Sequence, residues 1–389
     1  MDGERRGLLR VLYLTIFLTS TGFGTTTFLL PVYATGLGAS YIDLGLIGAA
    51  GNVVYTTLTI TSGYLLDRFE RGRYYLASSI MGSGIVLLFG AARSVSHLFV
   101  LRPLLGVASA SFWVTAATLT ADISPKDELS QSMGRYNLSW ILGFIVGPYL
   151  GGLISGAYGF PVLFTVLSAL PLLSAAVIFF LLRPRITLRN RGEGTNWNLA
   201  SLGRVKWAYI TLFPFTVVLG IYMAIMPGHM SALGIASALV GLLVTMTNGV
   251  RGLGFLSSER FVRWGSTRAL ALASVMLAVG LTLFSFSSSV EGFVVPLILY
   301  GGAAGIVTPV ILDIIAKRCD KGALGTAMGV HEGVYGVGMC LGSMAGGAIA
   351  EFYAPGTLYL FLAALSLTIL PLSVVLARRM GAGDGNRQK

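Results

Sequence analysis

The chain has 389 residues, of which 54% are hydrophobic and only 11% charged, with a mean hydropathy of +0.78. A soluble domain carries roughly 25% charged residues, so this composition excludes one and demands an integral membrane protein. The net charge of +11 is no sign of a nucleic-acid partner, because the bases sit in short loops between apolar runs, the distribution that orients a chain in a bilayer.

Twelve apolar segments can be drawn in chain order, each near the roughly 20 residues that a span needs. They run about 8–34, 40–66, 74–92, 96–121, 131–156, 160–182, 207–230, 235–257, 267–289, 292–316, 323–350 and 356–377. The stretch from Met1 to Arg10 and the apolar run behind it resemble a signal peptide. No small-residue cleavage site closes that run, which continues to Pro31, so an uncleaved first helix is expected. Pro31, Pro103, Pro148, Pro214, Pro309 and Pro371 lie inside spans, where neighbouring helices can satisfy the backbone groups they free. Cys319 and Cys340 are the only cysteines, too few and too far apart for a disulfide framework or a zinc site.

Of the 27 Lys and Arg, 24 fall on the side of the termini, Arg93 falls on the other, and Arg102 and Arg251 fall inside spans. This bias predicts a multi-pass cell-membrane protein with both termini in the cytoplasm. Residues 1–182 and 207–378 are then two bundles of six helices. The basic cytoplasmic linker 183–206 joins them, with Arg183, Arg185, Arg189, Arg191, Arg204 and Lys206. Those bases enforce topology and can also attract anionic lipid. Residues 379–389 read as a disordered cytoplasmic tail.

The two halves repeat. Met133-Gly134, Gly143, Gly147 and Gly151-Gly152 recur as Met328-Gly329, Gly338, Gly342 and Gly346-Gly347, an offset of 195 residues from Gly143 to Gly338. The charged stretch Asp67-Arg-Phe-Glu-Arg71 has an echo in Glu259-Arg-Phe-Val-Arg263. Such duplication is the architecture of secondary transporters, with the binding site between the halves. Gly143, Gly147 and Gly151 share one helical face, which lets backbones approach closely. Gly147 and Gly151 are expected on the inter-bundle side of their span.

Ionisable groups inside spans are few, and such groups face protein or water and usually pair. Arg102 faces a cavity or else snorkels to the nearby outer surface. Asp43 opens span two near water, and Asp313 ends span ten where Lys317 is a helical neighbour. Glu332 is the one carboxylate placed well inside a span, at the repeat position of Asn137. It is a proton site, a structural partner of Arg251, or a contact to a cationic substrate. His331 stands beside it, about 100° round the helix and so off its face. Together Glu332, His331, Arg102, Arg251, Asp43 and Asp313 are the candidates for proton coupling. Span one holds hydroxyls, Thr15 to Thr27, but no acid. Thr21, Thr25, Asn52, Trp113, Asn137, Tyr222 and Asn248 are the candidates for the substrate-cavity wall.

Three stretches carry a family resemblance. Gly63-x-Leu65-x-Asp67-Arg68-x-x-Arg71 resembles the loop between the second and third helices of the major facilitator superfamily. Gly143-x-x-x-Gly147-Pro148-x-x-Gly151-Gly152 resembles the fifth-helix signature of its drug/proton antiporter branch; Ser343 replaces the proline in the second half. Arg102-Pro-Leu-Leu-Gly106 resembles the fourth-helix motif. The resemblance covers residues 8–378 and implies an all-α integral membrane fold of 12 transmembrane helices in two pseudo-symmetric six-helix bundles. It implies that Gly63, Asp67, Arg68 and Arg71, with Asp122 and their second-half counterparts Glu259 and Arg260, form a gate that stabilises one alternating state. Two residues depart from the pattern: Glu70 stands where glycine is usual, and Leu129 where arginine often is.

The function this implies is a monomeric secondary transporter that moves a small organic compound by alternating access, with proton-coupled efflux as the first reading. A proton symporter or uniporter importing a sugar, organic acid or other nutrient is the second. A non-transporting receptor or lipid-handling protein is the third. No phosphate-binding loop, metal-ligand cluster or nucleophile–base set is visible, so neither an enzyme, nor a metal site, nor a cofactor is expected. The partners are the solute, protons and lipid.

Overall fold

A computed structural model describes residues 2–68, 70–125, 128–183, 199–319 and 324–385. Among the described residues every regular element is helical. Eleven helical stretches are long and apolar enough to cross a membrane. In the remaining position stands α2 (Tyr41–Arg68), a helix of 28 residues. The twelve expected spans are therefore present as helices, and the chain is a multi-pass membrane protein.

The first six spans are α1 (Asp2–Gly36), α2, α3 (Arg71–Ala91), α4 (Val95–Ile123), α5 (Leu129–Tyr158) and α6 (Phe160–Val177), which continues as a π-helical turn through Ile178–Leu182. The second six are α7 (Leu199–Ala224) with the short α8 (Met226–Ala232), α9 (Ser237–Leu256) with the short α10 (Ser258–Trp264), α11 (Ser266–Ser285), α12 (Val290–Arg318), α13 (Leu324–Tyr353), and α14 (Pro355–Leu367) with α15 (Ile369–Gly385). Two spans expected to be continuous are broken, and proline explains both. Pro227 and Pro371 have no N–H to offer the carbonyls four residues back, and the helix breaks at Ile225 and Thr368.

Local chemistry sets the helix starts. Ser40 and Asp43 form a reciprocal cap on α2: the Asp43 N–H donates to Ser40 Oγ at 3.1 Å, while Ser40 N–H and Oγ–H donate to the Asp43 carboxylate at 2.9 and 2.8 Å. Ser289 accepts from Gly292 N–H at the start of α12. Gly159, at φ +81°, turns α5 into α6, and Pro161 stands in the first turn of α6.

By internal contacts the chain sorts into two compact units, residues 1–193 with 223–245, and residues 194–222 with 246–389. In the first, α1 packs on α5 and α6, α2 on α4, and α3 on α4 and α6. Its interior is aromatic: Tyr75 stacks on Phe112, and Phe23 meets Phe112 edge-on. In the second, α11 packs on α12 and α14, and Phe284 lies against Phe293 and Tyr359. Large apolar side chains stand outward, Val100 at 63% and Phe180 at 71% exposure. Water tolerates few such contiguous patches; lipid accommodates them.

Three sequence expectations need correction. The charged stretch Gly63–Arg73 is not a loop, because α2 runs to Arg68 and α3 starts at Arg71. Its second-half echo is likewise the helix α10. The last helix also runs on to Gly385, past Arg379, where the sequence places a disordered tail. Most of the linker, 184–198, and the last residues, 386–389, lie outside the described residues.

Candidate functional site

The glycine face of α5 is where α1 comes closest. A methyl group placed on Gly143 would meet Ser20 and the Thr21 N–H, one on Gly147 would meet Thr25 and Thr21, and one on Gly151 would meet Thr25 and Leu29. Gly147 and Gly151 thus pack against a helix of their own unit. The expectation that they face the other bundle is wrong; of this run it is Gly152 that meets Ser237 and Ala238, at the start of α9. The same packing recurs in the second unit, where Gly338 and Gly342 of α13 meet Thr216 and Val217 of α7. The repeat seen in sequence is therefore a repeat of helix packing.

Beside Pro148 a threonine of α9 bonds into the backbone of α5, a contact the sequence does not announce. The Thr245 hydroxyl donates to the Ile145 carbonyl at 2.5 Å and accepts from the Tyr149 N–H at 3.2 Å. In an uninterrupted helix those two backbone groups would bond each other. A side chain reaching into this ladder is a recognised cause of a kink; the carbonyl that Pro148 itself frees is that of Phe144. The hydroxyls of α1, by contrast, are largely spent on their own helix: Thr21 donates to Phe17 O, Thr26 to Gly22 O and Thr15 to Leu12 O. Thr25 lies fully buried under Gly147 and Gly151.

The proposed gate residues separate into those the structure describes and those it does not. Arg71 forms an ion pair with Asp122 at the end of α4. Glu70 pairs with Arg73 at 2.6 Å and approaches Arg183 at 3.8 Å. Arg6 of α1 reaches Glu128 at 2.6 Å. The side chains of Gly63, Asp67 and Arg68 lie outside the described residues. Glu259 pairs with Arg263 at 3.5 Å on the exposed α10, and Arg260 is exposed beside them. Leu129 is exposed at the start of α5.

Arg102 turns inward rather than snorkelling. Its guanidinium lies over Gly51, where an added Cβ would stand 2.9 Å from Cζ, and it lines a small cavity with Asn52 and Thr27. Trp113 packs edge-on against Phe112. Asn137 is exposed and accepts from Trp140 Nε1 at 3.0 Å. Asp43 is occupied by the α2 cap, and Asp313 pairs with Lys317 at 2.8 Å. Both carboxylates have local structural work.

The densest group of polar and aromatic side chains lies in the second unit. Arg251 of α9 is 7% exposed, stands over the Phe255 ring at 5.3 Å, and acts electrostatically on Tyr222, Tyr300 and Tyr335. Tyr222 stacks on Tyr300 with centroids 4.4 Å apart, and Thr247 is a buried residue of the same group. Asn248 is buried beside Thr247. Tyr335 shares a hydrogen bond of 2.8 Å with Thr308, and His331 packs on its ring at 4.8 Å. His331 Nδ1 lies 3.2 Å from Glu332 Oε1. The backbones that carry these groups are close, since Gly301 and Gly305 of α12 face the Thr247 and Arg251 carbonyls of α9.

This geometry alters the expectation for Glu332. Its side chain is 44% exposed, whereas that of His331 is 4% exposed. The buried member of the pair is the histidine. Among the described residues Glu332 has its ion-pair contact with His331 and not with Arg251. The two were expected on different faces, but the flexible glutamate stem swings its carboxylate back towards the ring. Sequence reasoning also passed over Tyr300, Tyr335 and His229, whose Nδ1 lies 2.8 Å from Tyr41 OH in the first unit. Three histidines in the whole chain was the signal available.

A sequence model described as Major Facilitator Superfamily matches residues 12–343, and again 208–387. The chain belongs to the Major Facilitator Superfamily. Among its superfamily relatives is an uncharacterized MFS-type transporter of Methanocaldococcus jannaschii, 22% identical over 368 residues, 92% of this chain and 95% of that one. Multidrug resistance protein MdtG of Salmonella paratyphi C is 24% identical over 367 residues, 89% of each. Among solved structures, a mutant of the nucleoside transporter NupG has a TM-score of 0.82 at 15% identity, covering 95% of this chain and 99% of that one. A bacterial homolog of the human lysosomal transporter Spinster, inward-facing and occupied, gives 0.73 at 15% identity over 96% of each. At these identities the structures speak for the fold, which is that of a superfamily transporter.

Proposed function

We propose that this superfamily member is a proton-coupled exporter of a small organic compound, with His331 and Glu332 as the pair that takes up and releases the coupling proton. The observation that carries this reading is the pair itself. A buried imidazole bonds a half-exposed carboxylate about 12 Å along α13 from its start at Leu324. Glu332 is half-exposed, while His331 is buried against Tyr335. One proton added to the pair changes its net charge by one, and in a low-dielectric interior that change is costly unless the surroundings rearrange. Such a change of charge is what biases a two-state transporter. The likeness to MdtG supports efflux of organic compounds.

The protein acts in this reading as a monomeric transporter and not as an enzyme, in the cell membrane, with both termini in the cytoplasm. Its partners are the solute, protons and surrounding lipid. The likeness of its fold to NupG supports a second reading, proton-linked import of a polar nutrient. Everted vesicles carrying the protein separate the two. Export predicts that ethidium accumulates when the lumen is made acidic and leaves when the gradient is collapsed. Gradient-driven uptake of uridine by right-side-out vesicles, with no movement of ethidium or of other dyes, would establish the import reading instead.

A further inference from the structure

We infer that the cavity around Arg102 in the first unit is a binding site for a monovalent, weakly hydrated anion: a halide, or the carboxylate of a carried compound. Arg102 is an ion inside an apolar span, turned into protein, and among the described residues no charged group acts on it and none bonds it. A guanidinium is charged at every accessible pH, so it has no neutral form to retreat to, and even a half-buried charge inside a span is unfavourable without a partner. Every other described arginine that is turned into protein has a charged or aromatic partner: Arg71 has Asp122, and Arg251 has Phe255.

The walls say what kind of partner is missing. The cavity is lined by Thr27, Asn52 and Arg102 on its polar side, with no carboxylate among the lining residues. Among the described residues neither Asn52 nor Thr27 has a side-chain hydrogen bond, so a hydroxyl, an amide and a guanidinium are all available as donors to one guest. Leu30, Leu44 and Ile47 close the other side. The space is about 20 Å³, room for about one water-sized guest. That admits a single ion or the head of a carboxylate, not a whole drug molecule. Apolar walls cannot replace the hydration shell of a divalent oxyanion, which disfavours sulfate and phosphate. Gly51 completes the cradle, because any side chain there would push the guanidinium off its seat. This inference stands apart from the His331–Glu332 pair and does not require protons to be the coupling ion.

The test uses purified full-length protein in a neutral detergent and an alkaline potassium phosphate buffer, whose divalent, strongly hydrated anion the apolar walls disfavour. Chloride, bromide, acetate and sulfate are titrated in at constant ionic strength, with the thermal unfolding midpoint and retention of radiolabelled chloride or acetate as readouts. A saturable rise with chloride and bromide means a free halide. A rise with acetate alone means that the site takes a carried compound's carboxylate. Either result supports the site if Arg102→Gln weakens binding by about tenfold or more, the loss of a charge-assisted contact. Gly51→Ala must weaken it too, while Arg93→Gln, on the exposed loop between α3 and α4, leaves it unchanged. If Arg102→Gln does not fold, the direct measurement on the parent still decides. No saturable retention of either labelled anion, an equal response to sulfate, or full binding in the Gly51→Ala protein overturns the inference.

Discussion

The close approach of α7 and α13 makes a quantitative prediction about Gly220→Ala. A Cβ on Gly220 would lie 2.6 Å from the Cα of Met339 and 2.9 Å from its carbonyl carbon, where ordinary contacts begin at 3.4 Å. The atoms in the way are backbone, the Met339 carbonyl oxygen nearest of all, so no change of rotamer relieves them and the helices must part by about 1 Å. Overpacking of this kind costs about 1–3 kcal/mol. Separation also stretches the 3.3 Å bond from Ser343 Oγ–H to the Gly220 carbonyl. Alanine returns up to about 1 kcal/mol of helix propensity, so a net loss of about 1–2 kcal/mol is expected. Gly329→Ala on α13 is the internal control, since nothing stands within 4 Å of its Cβ position. It gains the propensity without the clash. Unfolding midpoints in detergent at one fixed scan rate compare the two, the rate being fixed because such unfolding is often irreversible. Gly220→Ala should melt lower than the parent and Gly329→Ala no lower. A Gly220→Ala protein as stable as the Gly329→Ala protein would refute the packing argument.

Ser40→Ala and Asp43→Asn should each cost about 1 kcal/mol of stability by weakening the α2 cap and leave the pH dependence of transport unchanged, because Asp43 is a capping residue. A shifted pH profile in the Asp43→Asn protein would return it to the coupling candidates. Asp67→Asn should slow transport while equilibrium substrate binding stays near the parent's value, since a gate changes the exchange between states. A parallel loss of affinity in folded protein would make Asp67 a binding residue. For orientation, Glu193→Cys should be labelled by an impermeant maleimide only from the cytoplasmic face and Ala157→Cys only from outside. Labelling of both from one face contradicts the assigned topology.

Much of the fold was written in one-dimensional features. Twelve runs of membrane length, the loop positions of the bases and the recurrence of Gly143 and Gly147 as Gly338 and Gly342 follow from bilayer thickness and helix geometry, which leave little freedom. The breaks at Ile225 and Thr368 were harder to read, because a proline in a span either kinks it or ends it, and the neighbours decide which. The site was less legible than the fold. Glu332 and Arg251 stood out as ions in apolar runs, but their surroundings depend on side chains from four helices. Tyr222, Tyr300 and Tyr335, from α7, α12 and α13, converge on Arg251 of α9. Tyrosine and threonine at helical spacing look the same whether they face lipid, a neighbour or a cavity. The bridging Thr245 was invisible for the same reason. Asp43 shows the converse case, because a Ser-x-x-Asp pattern at a helix start is local, and the cap it predicts needs no third element.

The role assigned to Glu332 is tested most directly by the Glu332→Gln protein in proteoliposomes, measured in two modes with the same dye. Glutamine keeps the size and a hydrogen-bonding oxygen but takes up no proton. The predicted result is loss of accumulation driven by a pH gradient, with exchange of labelled for unlabelled ethidium at equal pH near the parent rate. Undiminished uphill transport by the Glu332→Gln protein would contradict the assignment of this pair as the coupling site.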